Sequence, residues 1–344
     1  MGTTWFFRLR ALGPIFLALM LTVAGIRAYL QASAAPTGSL PGGPPRVVFI
    51  QPKTGVHDIA QALHEAGIIR SVWTFLTVAY LQGSITRLHA GEYEFSVGMP
   101  LMEVLRKLEA GRVITHQVTI PEGFDALDIA KLLASENLVD PERFLALVRD
   151  PALSEALGIE APGLEGYLFP DTYRLTRGMA EEEILRVMVA RFRRKLPAEV
   201  ASLAQAVGLD LHGAITVASL IEREAHLARE RTLVSAVFHN RLRRKMPLQS
   251  DPTAVYGIPD AARRITLADL QRKSPYNTYL MVGLPPGPIA NPGLGSILAA
   301  VAPAKVNYLY FVSKNDGSHV FSRTLREHSR AVVIYQRGGK AAGS

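Results

Sequence analysis

Two glutamates that stand two residues apart in a largely apolar stretch are the first candidates for chemistry. Glu222 and Glu224 occur in "ASLIEREAHLARE", residues 218–230. A carboxyl group in a poorly solvated place has a raised pKa, because burial disfavours its charged form. Such a group can act as a general acid at neutral pH. The function of this stretch therefore depends on which glutamate faces an apolar environment.

Helical periodicity separates the two glutamates. In an α-helix, successive residues turn by about 100°. One broad arc then holds apolar side chains, namely Val217, Ala218, Leu220, Ile221 and Ala225. Glu224 falls inside this arc, and Glu222 lies at its edge. We therefore predict that Glu224 faces the interior or a cleft floor and that Glu222 lies nearer a rim. An ion pair between Glu224 and an arginine is the structural alternative.

A metal site is a weaker interpretation of the same stretch. His226 follows Glu222 at i+4, and Glu230 lies one further turn along, but the spacing is not that of HExxH. We predict no metal and no cofactor. The chain has no GxGxxG, P-loop or Ser-His-Asp signature. It also has no cysteine, which excludes disulfides, thiolate catalysis and Cys-ligated zinc.

Length and charge leave several classes of protein open. The 344 residues, of which 48% are hydrophobic, suffice for a membrane segment and two or three compact units. The net charge of +8 could favour nucleic acid, anionic lipid or an acidic polymer. Because basic residues are spread along the chain and no nucleic-acid motif is present, we expect no nucleic-acid partner.

The N-terminal segment predicts export. Arg8 and Arg10 precede an apolar run over residues 11–26. This run is short for a span of about 20 residues, but flanking aromatic side chains at the membrane interfaces lengthen it. We predict a cytoplasmic N-terminus over residues 1–10, a transmembrane anchor over 11–31 and a linker over 32–45. A cleaved signal peptide is the alternative, because Ala32-Ser33-Ala34 resembles a cleavage site.

A strand–turn–helix pattern occurs twice after the linker. "VVFIQPKTGVHDIAQAL" resembles "HQVTIPEGFDALDIAKLL" at a constant offset, so that Ile50 matches Ile120 and Asp58 matches Asp128. Small βα units of this kind recur in modules that hold polysaccharide, although the pattern is also simply common. The following half of the chain is predicted to be mostly helical, with a hairpin around Asn315-Asp316-Gly317.

Two turn-rich segments carry side chains that suit a carbohydrate groove. "LQSDPTAVYG" offers Gln249, Asp251 and Tyr256 in a loop after a helix, and "SPYNTY" offers Asn277. Aromatic rings can contact the flat apolar faces of sugars, and amides can bond hydroxyl and acetamido groups. Each of these residues could equally serve a turn or the core, since Asp-Pro is ordinary turn chemistry.

Five segments in the same order make the chain similar to the endolytic murein transglycosylase (YceG-like) family. They are "LEGYLFPDTY", "ASLIEREA", "VFHNRLRRKMPLQSDPTAVYG", "SPYNTYLMVGLPPGPIANPG" and "AKVNYLYFVSKNDGSHVFSRTLREH". The resemblance implies an α+β fold with an N-terminal transmembrane helix and a LysM-like βα region over residues 46–118. It further implies a mostly helical catalytic domain with a small antiparallel sheet over residues 119–335, and a flexible tail over 336–344.

The resemblance also implies an activity. Such enzymes cleave the β-1,4 bond from N-acetylmuramic acid to N-acetylglucosamine in nascent peptidoglycan, at the periplasmic side of the bacterial inner membrane. One acid protonates the glycosidic oxygen and then acts as base toward the muramyl 6-hydroxyl, which closes a 1,6-anhydro ring. The implied partners are glycan strands, peptidoglycan synthases and, through the anchor, membrane lipid. A non-catalytic peptidoglycan-binding or scaffold protein is the alternative.

The family's Glu-Lys-Glu-Thr motif corresponds here to Glu222-Arg223-Glu224-Ala225. The resemblance assigns the acid and base to Glu224, the residue that the helical arc selects. It implies weaker candidates for substrate contact, namely Glu222, Gln249, Asp251, Tyr256 and Asn277. A hydrolase would need a second carboxylate, for which Asp251 is the candidate. Ala225 departs from the usual Thr or Ser, so a hydroxyl beside the acid must come from elsewhere or be absent.

Overall fold

The computed structural model describes residues 44–258 and 265–336, together with residues 20, 23–25 and 27–28 of the N-terminal segment. The predicted cytoplasmic segment, most of the predicted anchor and linker, and the tail after Gln336 lie outside the described residues. Within the described part, no single helix is long and apolar enough to cross a membrane. The helices Val200–Ala206 and Leu211–Glu224 meet that length and composition only as a pair, bent by 88°.

The chain forms two compact units, of which the first comprises Met1–His116 and Leu175–Met179. Its described elements are β1 (Arg46–Ile50), α1 (Val56–Glu65), α2 (Val72–Leu81), β2 (Gly91–Phe95) and α3 (Leu101–Glu109). Strands β1 and β2 pair antiparallel, with Val48 opposite Tyr93. Alternation along β1 turns Val48 and Ile50 inward. The four buried residues of α3 follow helical spacing and complete this core, namely Leu101, Val104, Leu105 and Leu108.

The second unit comprises Gln117–Arg174 and Ala180–Ser344. The elements from β3 onward are β3 (His116–Thr119), α4 (Ala126–Ser135), α5 (Pro141–Val148), α6 (Pro151–Ala156), β4 (Thr172–Leu175), α7 (Glu181–Lys195), α8 (Val200–Ala206), α9 (Leu211–Glu224), a 3₁₀ turn (Ala228–Glu230), α10 (Arg231–Arg243), α11 (Asp251–Val255), α12 (Leu267–Leu270), α13 (Leu294–Val301), β5 (Tyr310–Ser313), β6 (His319–Ser322) and α14 (Leu325–Gln336). Strand β3 pairs with β4, and β5 pairs antiparallel with β6.

Helix α9 is the central helix of the second unit. Asp210 caps its N-terminus by accepting a 2.6 Å hydrogen bond from the Gly213 backbone N–H. Every residue from 213 to 221 is buried, so this helix is surrounded on all sides. Its last turn, residues 222–224, reaches partly or fully exposed positions, so the charged end of the helix lies at the edge of the core.

The described residues confirm the mixed helix and small-sheet architecture, roughly α+β. The predicted hairpin around Asn315 forms as β5 and β6. Both predicted strand–turn–helix units form, as β1–α1 and β3–α4, and Ile50 and Ile120 are both buried. The two strand–turn–helix units differ at the start of their helices, because a capping box of Asp125 and Asp128 begins α4, whereas no side chain caps α1.

Three predictions about individual segments are wrong. Helix α9 ends at Glu224, because Ala225 has an extended backbone (ψ 97°), so His226 does not follow Glu222 on one helix. Asp251 does not lie in a loop but begins α11, where Pro252 fits the first turn. Helix α14 follows the hairpin and runs to Gln336, which the sequence placed in the tail.

Candidate active site

Glu224 lines a cavity of about 500 Å³ in the second unit. It is the last residue of α9 and is partly exposed. The same cavity is lined by polar and aromatic residues of five later segments, namely Arg241, Gln249, Asp251, Tyr279, Phe311, Asn315, His319, His328 and Gln336. The prediction that Glu224 faces a cleft is therefore confirmed, and the cavity brings it together with Gln249 and Asp251.

Ser250 holds the Glu224 carboxyl group. The Ser250 hydroxyl donates a 2.6 Å hydrogen bond to Glu224 Oε1. Ser250 is itself buried, and its backbone N–H donates to Thr278 Oγ1 at 3.0 Å. Thr278 Oγ1 in turn lies 2.8 Å from Thr253 Oγ1, and Thr253 donates to the Ser250 carbonyl at 2.6 Å. This buried hydroxyl network fixes Ser250 and thereby the orientation of the acid.

Burial raises the pKa of Glu224 from 4.5 to about 7. The negative charge of Asp251 acts in the same direction, because a like charge disfavours ionisation. The hydrogen bond from Ser250 and the positive charge of Arg223 oppose the rise in pKa. The resulting group is present in both protonation states near neutral pH, which suits a residue that must first give and then take a proton.

The other charged side chains at the end of α9 have structural partners. Glu222 is more buried than predicted, with its side chain only 6% exposed. Its Oε1 lies 3.3 Å from Arg231 Nη2, and its Oε2 accepts a 2.9 Å hydrogen bond from the Gly293 backbone N–H. Arg223 Nη1 donates to the Gly123 carbonyl at 3.0 Å. The predicted rim position of Glu222 is therefore wrong, because a cation and a backbone donor hold it inside the protein.

Gln249 and Asp251 flank Ser250 and contribute to the wall of the cavity. Gln249 has a left-handed backbone (φ 49°), which is unfavourable for a residue with a Cβ and persists where surrounding contacts impose it. Its backbone N–H donates to the Thr278 carbonyl, and its Oε1 accepts a 3.2 Å hydrogen bond from Arg241 Nη1. Asp251 accepts a hydrogen bond from the Tyr279 hydroxyl. Both side chains are thus oriented by the protein while remaining exposed.

Tyr256 and Asn277 lie elsewhere. Tyr256 lines a second cavity of about 350 Å³, where its hydroxyl donates to the buried carboxyl of Glu165 at 3.0 Å. Burial raises the pKa of Glu165 to about 7. Asn277 is fully buried, and its amide binds the Leu270 and Arg272 carbonyls. These contacts give Asn277 a structural role in its own loop.

Sequence reasoning missed several residues of the Glu224 cavity. Ser250 stands between Gln249 and Asp251, so its position in the motif was the available signal. Arg241 is buried and donates to the carbonyls of Leu309, Pro247 and Leu248. No pattern in the sequence indicated that the β5–β6 hairpin and α14 line this cavity. Among residues 44–258 and 265–336, no group of three His, Asp or Glu side chains could hold a metal ion.

The arrangement can perform acid–base chemistry with one principal carboxyl group. Glu224 is the one acidic side chain in this cavity whose pKa burial raises to near neutrality. Asp251 offers a second carboxylate in the same cavity but is exposed and bonded to Tyr279. A single acid that changes to a base needs no second carboxylate, whereas glycoside hydrolysis by water uses two.

Comparisons with known proteins find a family match over most of the chain. The model of the YceG-like family matches residues 48–333. An endolytic murein transglycosylase of Bacillus subtilis (strain 168) is 35% identical over 298 residues, which cover 82% of each chain. An endolytic murein transglycosylase of Streptococcus pneumoniae serotype 2 is 31% identical over 83% of this chain and 57% of its own length.

A solved structure is similar as well. The 2.6 Å crystal structure of a yceG-like protein from Listeria monocytogenes superposes with a TM-score of 0.57 at 31% sequence identity. The match covers 83% of this chain and 98% of that chain.

Proposed function

We propose, from the premise that this chain belongs to the YceG-like family, that it is an endolytic murein transglycosylase whose acid and base is Glu224. The activity follows from its relatives, which are named endolytic murein transglycosylases and match more than four-fifths of the chain. The observation that carries the assignment of Glu224 is its place in the cavity, with a pKa of about 7 and a fixed hydrogen-bond donor in Ser250.

The substrate bond we propose is the β-1,4 bond from N-acetylmuramic acid to N-acetylglucosamine in peptidoglycan. Protonated Glu224 donates its proton to the glycosidic oxygen as the bond between that oxygen and muramyl C1 breaks. The N-acetylglucosamine unit leaves with a new hydroxyl group. The Glu224 carboxylate then takes the proton of the muramyl 6-hydroxyl as its oxygen bonds to C1. This step forms the 1,6-anhydro ring, consumes no water and regenerates the acid.

The protein environment contributes to both steps. Ser250 holds the carboxyl group in one orientation, which reduces the motion needed between giving and taking the proton. Burial keeps part of the Glu224 population protonated at neutral pH. The Asp251 charge lies close enough to raise the pKa of Glu224, and it therefore favours the acid form before the bond breaks.

We further propose that the chain is anchored in the bacterial inner membrane through residues 11–31, with both compact units on the periplasmic side. The positive residues before the apolar run and the Pro/Gly-rich linker after it support this placement. The first unit is proposed as the LysM-like region, and its order β1–α1–α2–β2 with paired terminal strands supports this. Peptidoglycan synthases are the proposed partners, on the family resemblance.

A hydrolase is the second candidate, because Asp251 lines the same cavity as Glu224. A water molecule activated by Asp251 would give a reducing muramic acid end instead of an anhydro end. The two products differ in mass by one water. The deciding experiment is mass analysis of the ends released from purified glycan strands by the wild type and by Glu224→Gln.

We expect anhydromuramyl ends from the wild type and none from Glu224→Gln, with an unchanged circular dichroism spectrum. Reducing muramyl ends from the wild type would favour the hydrolase. Binding of strands without any product from the wild type would favour a scaffold protein. Full activity of Glu224→Gln would exclude Glu224 as the acid.

A further inference from the structure

His319 lies on the wall of the Glu224 cavity and is held there by a buried carboxylate. It is the first residue of β6, opposite Ser313 of β5. Glu230, from the 3₁₀ turn after α9, accepts from the His319 backbone N–H at 3.2 Å and lies 2.8 Å from the ring Nδ1. Both side chains are more than nine-tenths buried, at 7% and 8% exposure. The pair therefore fixes the orientation of the imidazole.

The contact with Glu230 determines which ring nitrogen carries the hydrogen. A carboxylate can only accept hydrogen bonds, so Nδ1 must donate to it. Nε2 is the other ring nitrogen and points away from Glu230. Nε2 has no hydrogen-bond partner among the described residues, and the ring lines the cavity. The ring thus has one oriented nitrogen that is open to a ligand, in a side chain that lines the same cavity as Glu224.

The surroundings of the His319 ring differ from those of His239, a buried histidine of the same unit. Phe311 packs edge-on against His319, with ring centroids 5.4 Å apart, and Phe321 lies on another side at 6.3 Å. These apolar contacts restrict the ring to one orientation. His239, by contrast, uses its Nε2 on the Ala300 carbonyl at 2.8 Å and has a structural role. His319 alone of these two keeps a ring nitrogen available to a ligand.

We propose that Nε2 of His319, oriented by Glu230, forms a hydrogen bond with a sugar hydroxyl of the glycan strand in the Glu224 cavity. A sugar hydroxyl is the matching partner, because a hydroxyl can donate to or accept from a ring nitrogen and the cavity is proposed to hold the sugar ring that reacts. This inference rests on the proposed function, since it assumes that the cavity binds glycan. It adds a substrate contact from the β5–β6 hairpin, which forms one wall of the cavity.

Two substitutions at His319 separate substrate contact from structural support. In His319→Asn, the short amide can replace Nδ1 and keep the bond to Glu230, but nothing replaces Nε2. In His319→Gln, the longer amide reaches the place of Nε2 and gives up the bond to Glu230. A purely structural histidine predicts that Asn is the better replacement, and a substrate contact predicts that Gln is. The measurements are kcat/KM for release of anhydromuramyl ends and the melting temperature of each full-length variant.

We expect His319→Asn to lower kcat/KM by about threefold to tenfold or more, which is the size of one lost neutral hydrogen bond. Its melting temperature should stay close to that of the wild type, and His319→Gln should retain more activity. The inference is overturned if His319→Asn keeps kcat/KM within about twofold of the wild type. If His319→Gln does not fold, the Asn variant decides alone.

A binding measurement keeps this test apart from the test of the proposed function. If the wild type releases no anhydromuramyl ends, the proposed function fails. The affinity for intact glycan strands is then compared between Glu224→Gln and Glu224→Gln with His319→Asn, neither of which needs to cleave. About threefold to tenfold weaker binding of the double variant supports the contact by His319. Equal affinities of the two variants overturn it.

Discussion

The hydroxyl of Ser250 donates a 2.6 Å hydrogen bond to Oε1 of Glu224, across 26 residues of chain. The related motif carries Thr or Ser directly after the acid, where this chain has Ala225. Ser250 therefore supplies a hydroxyl at the carboxyl group from a different segment. Ala225 is buried and lies just after the last residue of α9 with an extended backbone. Its methyl side chain offers no hydroxyl to the acid. The acid of this site is positioned by the start of α11 as well as by its own helix.

Replacing the acid should alter the pH dependence of stability. The pKa of Glu224 rises from 4.5 to about 7 in the folded protein. Folding therefore favours the neutral form, and the stability that this group contributes is present below about pH 4.5 and lost as the pH rises to about 7. We expect the unfolding free energy of the wild type to fall by roughly 2–3 kcal/mol relative to Glu224→Gln across this window. Urea unfolding at pH 4.5, 6 and 8 measures the difference, and a constant difference would contradict the raised pKa.

Removing the Ser250 hydroxyl should move the pH profile upward. The hydrogen bond from Ser250 lowers the pKa of Glu224, so Ser250→Ala raises that pKa further. Since the first step needs protonated Glu224, the pH at which kcat/KM declines should move to a higher value. At neutral pH we expect about tenfold lower kcat/KM, because a charge-assisted hydrogen bond that orients the acid is lost. Ser202→Ala on the exposed side of α8 is the matched control and should leave the profile unchanged. A profile of Ser250→Ala that coincides with that of the wild type would exclude this role.

Local patterns predicted the features that depend on neighbouring residues. The inward face of Glu224 followed from helical periodicity, and the hairpin at Asn315 followed from its Asn-Asp-Gly turn. The end of α9 could not be predicted from its apolar periodicity, which continues through Ala225, whereas its last turn makes contacts with Ser250 and Gly123 that lie 26 and 100 residues away in the chain. Periodicity describes which face a residue occupies and says nothing about where tertiary contacts end the helix.

The misplacement of Glu222 has the same physical cause. Its apparent rim position follows correctly from the helical arc, but Arg231 and the backbone of Gly293 close over it. Gly293 lies 71 residues away in sequence. The cavity wall formed by the hairpin and α14 could not be predicted either, because pairing within a hairpin does not reveal which cavity its strands will line. Long-range packing thus decided the parts of the site that sequence patterns left open.

Removing the Asp251 charge should move the pH profile in the opposite direction. Asp251 raises the pKa of Glu224 by repulsion between like charges. Asp251→Asn preserves size and removes that charge, so the pKa of Glu224 should fall and kcat/KM should decline at a lower pH than in the wild type. The released ends should remain anhydromuramyl. If the wild type gives reducing ends and Asp251→Asn does not, Asp251 is the base of a hydrolase. Ser250→Ala and Asp251→Asn therefore serve as controls for each other, because they should move the pKa of Glu224 in opposite directions.

Replacing Glu222 should weaken the fold and spare the chemistry. Glu222 accepts from Gly293 and pairs with Arg231, whose side chain is 20% exposed. Glu222→Gln keeps an acceptor for the backbone N–H but, among the residues that the structure describes, leaves Arg231 with only the exposed Glu122 as a charged partner. We expect a loss of about 1–3 kcal/mol in the free energy of unfolding, because removing one member of a largely buried ion pair leaves the other poorly compensated. Below its melting temperature, this variant should release anhydromuramyl ends with a kcat within a few-fold of the wild type. Glu224→Gln is the matched comparison, since it removes a carboxylate two residues away and should abolish product. A stable Glu222→Gln protein without activity would contradict this structural role.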